Sequence, residues 1–114
     1  MIEVLIKLFF AHAIGDFGLQ SDVMAYGKNR HNKPKNVPVG QQPMPVWGWW
    51  LSAHALINGG VFYLFTGNIY AGIIESVFHV IIDFAKTENI TNPNIDQILH
   101  IISILVCYMV VITT

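Results

Sequence analysis

Side chains able to bind a metal or move a proton recur at a fixed interval along this chain. His12, Asp16 and Gln20 are four apart, as are His54 and Asn58, and again Glu75, His79 and Asp83; Asp96, Gln97 and His100 follow. Residues at i and i+4 share one face of an α-helix. His12/Asp16, His79/Asp83 and, reversed, Asp96/His100 therefore each present an imidazole and a carboxylate to one point. That donor pair suits zinc, manganese or iron, and helix bundles hold such metals through inward His and acidic side chains. The expected ligands of a divalent cation are His12, Asp16, His79 and Asp83, with His100 and Asp96 completing a second site or supporting the first. Ligating imidazoles need a partner for their second nitrogen, for which Asp96, Gln20 and Asn58 are the candidates, and His54 and Gln97 join Gln20 and Asn58 as the polar groups expected around the ligands. A cation with an open position lowers the pKa of water to about 7. Glu75, one turn before His79, is then the candidate catalytic base, and the reaction class is hydrolysis of a lipid or lipid-linked ester or phosphoester.

These groups need helices to position them. The chain of 114 residues has four apolar blocks, at residues 2–24, 47–65, 69–86 and 95–114. A helix crosses a hydrocarbon core with about 20 mostly apolar residues. The expected fold is a single all-α domain over residues 1–114, a four-helix transmembrane bundle. Composition agrees: 54% of residues are hydrophobic and 11% charged, with mean hydropathy +0.51, whereas about a quarter of the residues of a soluble domain are charged. The formal net charge of -1 argues against a nucleic-acid binder relying on bulk positive charge.

Depth sharpens the pattern. Polar residues occupy the C-terminal halves of the first and third blocks and the N-terminal halves of the second and fourth, and successive spans run antiparallel. All four sets therefore share one side. At a rise of 1.5 Å per residue, His54 lies about 10 Å in from Trp47. Intramembrane ionisable groups are costly, face the bundle interior and usually mark function. A polar cavity on that side is expected, with Gly15, Gly59, Gly60, Gly72 and Ser76 allowing the helices to approach.

Residues 27–46 hold Lys28, Arg30, Lys33 and Lys35, four of the five prolines and no acid. This basic loop is expected on the cytoplasmic side by the positive-inside rule, with both termini outside and Trp47, Trp49 and Trp50 at the interface. The four cations, with Lys86, are candidates for binding anionic lipid head groups. Asn92 and Pro93 read as the N-cap and first residue of the last helix.

The motifs also resemble a known family. His12-x-x-Gly15-Asp16-Phe17-x-x-Gln20, His54-Ala55, His79-x-x-x-Asp83-x-x-Lys86 and Asp96-Gln97-x-x-His100 are similar to those of a domain-of-unknown-function family of small bacterial and phage multi-pass membrane proteins. The likeness spans essentially the whole chain and implies a topology and a bacterial inner-membrane setting, without a reaction. Where that family often reads His-Ala-x-x-His, this chain has Asn58, which weakens any role needing an imidazole there.

Other readings compete. Asp, Glu and His within helices also mark ion and proton paths, although here the polar residues stop halfway. The same groups could act as interhelical glue, at about 0.6 kcal/mol per contact, in a phage or bacterial membrane effector that is not an enzyme. Membrane lipids are the expected partners, and a homo-oligomer is compatible with the pattern. Several features carry less. His31 reads as solvated, and Ser103 and Cys107 as packing residues. Ala11-His12-Ala13 lacks the basic start of a signal peptide, and the sequon at Asn89 reads as chance.

Overall fold

The computed structural model describes residues 1–114 except Asn36 and Pro43, which lie in the basic loop. It is all-helical, with no strand among the described residues. Among the described residues there are five α-helices: α1 (Ile2–His12), α2 (Asp22–Gly27), α3 (Trp47–Thr66), α4 (Ile69–Thr87) and α5 (Pro93–Thr113).

The first apolar block is not one helix. α1 runs into a π-helical segment, Ala13–Gly18, closed by a wide turn in which the Leu19 amide donates to the Ile14 carbonyl at 2.7 Å. Ser21 is extended, and its side chain accepts from the Met24 amide, which restarts the chain as α2. The break has a packing cause. A Cβ on Gly15 would lie 2.4 Å from Asn58 Oδ1, so the π-helical segment rests against α3 as only glycine allows. Wide π turns of this kind are frequent at functional sites.

α3 and α4 form a tight hairpin. Gly67 ends α3 in the left-handed conformation at φ 68°, and the Asn68 side chain caps α4 by accepting from the Tyr70 and Ala71 amides. Halfway along, the backbones nearly touch: a Cβ on Gly59 would lie 2.4 Å from the Gly72 carbonyl oxygen and overlap Ser76 Oγ. Gly60, expected at the same seam, faces open space. Asn92 caps α5 by accepting from the Ile95 amide at 2.8 Å, with Pro93 in the first turn.

The interior has two parts. Leu8, Ala11, Val61, Phe62, Ala71, Ile104 and Cys107 make a buried apolar cluster at one end. Towards the other, the buried side chains are polar, among them Asp16, His54, Glu75, His79, Asp83 and His100. The outside reverses this order, with Phe10, Phe17, Leu56, Leu64, Ile81, Ile98 and Met109 all exposed.

Among the described residues, α5 alone is long and apolar enough to cross a membrane, with mean hydropathy 2.2 over its best 18-residue window, 28% of which is buried. This corrects the simple picture of four equivalent spans. α1 has 11 residues, about 16 Å of helix, and α4 carries Glu75, His79, Asp83 and Lys86. The residues that mark the site are the ones that lower the hydropathy.

Candidate metal centre

Three elements converge on one buried cluster. Asp16 comes from the π-helical segment, His79 and Asp83 from successive turns of α4, and His100 from α5, and one ligand atom of each lies within 4.8 Å of all the others. All four are buried. His79 Nε2 is 3.4 Å from both Asp16 Oδ1 and Asp83 Oδ2. His100 Nε2 is 3.3 Å from Asp83 Oδ1. Metal–ligand bonds of about 2.0–2.2 Å put tetrahedral ligands about 3.3–3.6 Å apart. These separations fit that spacing, and small side-chain shifts would draw in the longer ones.

His79 carries the sharpest signal. Its Nδ1 donates to Glu75 Oε1 at 3.1 Å, which leaves Nε2 with its lone pair facing two carboxylates and no hydrogen-bond partner. Such an arrangement needs a cation or a proton in between. Charge on the buried groups points the same way. Asp16, Glu75, Asp83 and Asp96 are four carboxylates; among the described Lys and Arg residues Lys28 and Lys86 pair with them, and the other close partners are the imidazoles of His12, His54, His79 and His100. Two further positive charges, on imidazoles or on a bound cation, would balance the group.

The remaining expected residues form a surround. His54 Nε2 lies 3.1 Å from Asp16 Oδ1 and 3.3 Å from Asp83 Oδ2, beside the four ligands. Asn58 donates to the His54 carbonyl at 2.9 Å and abuts Gly15, so it sets the approach of the π-helical segment. His12 Nε2 is within 3.1 Å of Gln97 Oε1 and 3.9 Å from Asp16 Oδ2, one step outside the cluster. Gln97 Nε2 donates to Asp16 Oδ2 at 3.3 Å and Asp96 Oδ2 at 3.2 Å. Asp96 Oδ1 lies 3.6 Å from His100 Nε2, and its other oxygen accepts from Lys86 at 3.4 Å. The group brought together contains His100 and not His12: both imidazoles lie 3.9 Å from Asp16 Oδ2, but His100 also reaches Asp83 whereas His12 turns to Gln97.

Glu75 is enclosed. Oε1 accepts from His79, and Oε2 accepts from Ser103 Oγ at 2.6 Å. With both oxygens engaged it orients His79. Ser103, read from sequence as a packing residue, supplies that second bond; its position three residues after His100 on α5 was the available signal.

Lys28 is the other surprise. It is 3% exposed, and its ammonium donates to Asp83 Oδ2 and Gln20 Oε1, both at 2.6 Å. The short α2 folds the start of the basic loop back over the cluster, so this cation belongs to the site. The other loop cations stay outside. Arg30 pairs with Glu88 and lies over the Phe84 ring at 5.6 Å, and Lys35 Nζ sits 3.8 Å from the Tyr26 ring centroid. His31 is largely exposed yet also contacts Glu88. The hydrogen bond from His31 and the adjacent Arg30 hold the Glu88 carboxyl below its usual range.

The fold and site define a class: a small all-helical protein with a buried Asp/His cluster able to hold a metal ion. The chain belongs to the family described as Protein of unknown function (DUF3307), matched over residues 4–114. No curated protein and no solved structure matches it.

Proposed function

We propose that the chain is a multi-pass membrane protein that holds a divalent metal, zinc or manganese, between Asp16, His79, Asp83 and His100, and uses it to hydrolyse an ester or phosphoester of a lipid or lipid-linked substrate. The observation that carries the metal is the unpartnered His79 Nε2 between two carboxylates. Membrane placement is supported by the reversal of polarity, apolar outside and ionisable inside, since contiguous exposed apolar surface marks an interaction with protein or lipid. In this reading α5, α3 and α4 cross fully and α1 enters from the opposite face to its π turn. The basic loop lies in the cytoplasm and both termini outside, as in a bacterial inner membrane.

With three of the four residues as ligands and the remaining position left to water, the metal would lower the pKa of that water towards neutrality. Glu75, backed by Ser103, fixes the His79 tautomer so that Nε2 faces the cation. His54 lies next to the two aspartates and is placed to accept a proton. Lys28 partly neutralises Asp83 and brings an ammonium group to a site meant for an anionic substrate.

The test is metal analysis of the detergent-purified protein. Bound zinc or manganese near one per chain, lost in His79→Ala and Asp83→Asn while both variants remain inserted, is the expected result. A folded preparation that contains no metal and takes up none would sink the proposal. A proton relay is the second reading, favoured by the contact series from Ser103 through Glu75 and His79 to Asp16. Proton flux into liposomes that disappears in Glu75→Gln, from metal-free protein, would select it. For orientation, a cysteine placed at Val39 should be protected from impermeant reagents added outside intact cells; labelling there would invert the topology.

A further inference from the structure

A separate cavity of about 520 Å³ lies between α2, the basic loop and the start of α3. Tyr26, Trp47, Trp50 and Pro45 supply apolar walls, and Arg30, Lys33 and Lys35 supply cations; Asp22 is the one carboxylate in the lining. Arg30 is committed to Glu88, and Lys35 rests on the Tyr26 ring. Lys33, exposed, has no carboxylate against it among the described residues. The cavity therefore offers positive charge above aromatic walls, the polarity of an amphiphile with an anionic head.

We infer that this cavity binds the phosphate-bearing head group of an anionic membrane phospholipid. Three observations favour a lipid over a soluble anion. The walls are mostly aromatic and aliphatic, which suits a glycerol backbone and the first methylenes better than a free ion. Trp47 and Trp50 form one wall at the start of α3, and Trp rings concentrate at the level of lipid head groups. Val23, part of the lining and 57% exposed, carries the apolar wall out to the surface.

The cavity adjoins the metal centre. Gly27 packs so closely on Trp50 that a Cβ there would lie 2.4 Å from the indole ring, and the next residue, Lys28, reaches Asp83. A bound head group would thus sit one residue from the cluster, on the far side of the Lys28 backbone. The inference deepens the functional reading by naming an anionic phospholipid as the class of amphiphile recognised. It rests on membrane placement and not on the metal.

The experiment uses the full chain in detergent with added phosphatidylglycerol, phosphatidylcholine or inorganic phosphate. Native mass spectrometry reads bound lipid, indole fluorescence reads the cavity, and metal content is measured in parallel. Phosphatidylglycerol should be retained in preference to phosphatidylcholine. The K33Q/K35Q variant should bind it about 30-fold more weakly, the loss two surface ammonium groups give, with metal content unchanged. Trp50→Leu, which keeps an apolar wall, should retain the lipid but lose part of the fluorescence response. Equal retention of phosphatidylcholine, an unchanged affinity in K33Q/K35Q, or displacement of the lipid by inorganic phosphate at millimolar concentration would each overturn the inference. Loss of metal with retained lipid binding would count against the metal reading alone.

Discussion

The two ends of the bundle interior are built on opposite terms. At one end Leu8, Phe62, Ala71 and Ile104 are fully buried and pack as hydrocarbon. At the other, His54, His79, Asp83 and His100 are equally buried and interact through charge and hydrogen bonds. Dispersion tolerates small shape changes, whereas a buried charge that loses its partner costs several kcal/mol. The apolar end is thus suited to holding the helices together. The polar end is suited to a fixed geometry, with ligand atoms of Asp16, His79, Asp83 and His100 close enough to hold one ion.

The contrast can be broken from either end. Asp83→Ala should have the largest effect, because it strands Lys28 and removes a contact of His54, His79 and His100. A loss of about 3–5 kcal/mol is expected by thermal unfolding in detergent, together with loss of metal. Phe62→Ala should cost about 3 kcal/mol, near the lower end for a buried phenylalanine, while metal binding by elemental analysis stays near one per chain. If it loses the metal too, the two ends are not separable. Gly59→Ala tests the seam between them, since its Cβ would run into Ser76 and the Gly72 carbonyl; about 2 kcal/mol is expected.

Ser103→Ala sharpens the comparison within the polar end. It removes one hydrogen bond to Glu75, worth about 1 kcal/mol of stability, and should weaken metal affinity about tenfold through His79. The smallest effect belongs to Glu88, outside both regions. Its carboxyl is held below the ordinary value of 4.5. A depressed folded pKa stabilises the protein above that value and loses its contribution as pH falls through the folded one. Acidification below about pH 4.5 should therefore release the contacts with His31 and Arg30, read as faster amide exchange in the loop, with little change in melting temperature.

Much of the site is legible in the chain because helical periodicity is local. Glu75, His79 and Asp83 lie four apart on an uninterrupted α4, so sequence spacing suffices to put them on one face. Asn92-Pro93 and Gly67-Asn68 act within a few residues and mark their helix ends equally well. What spacing cannot carry is long-range contact. The π-helical segment packs through Gly15 on Asn58, 43 positions away, and His100 is set apart from His12 by its reach to Asp83, 17 positions away. Lys28 reads as one loop cation among four until α2 folds it against Asp83. Hydropathy misleads for a related reason, since it averages each helix around its circumference. In α4 the ionisable groups face inward and Ile73, Val77 and Ile81 face out.

The hairpin of α3 and α4 contributes His79 and Asp83, while Asp16 precedes it and His100 follows it in α5. The cluster therefore cannot form until α5 has been added to the hairpin. A nascent chain that has emerged only as far as α4 carries two carboxylates, Asp16 and Asp83, that His100 cannot yet reach, and a chain cut before Pro93 never gains it. A cation captured there would act as the last stitch, joining the π-helical segment and α5 to the hairpin between them.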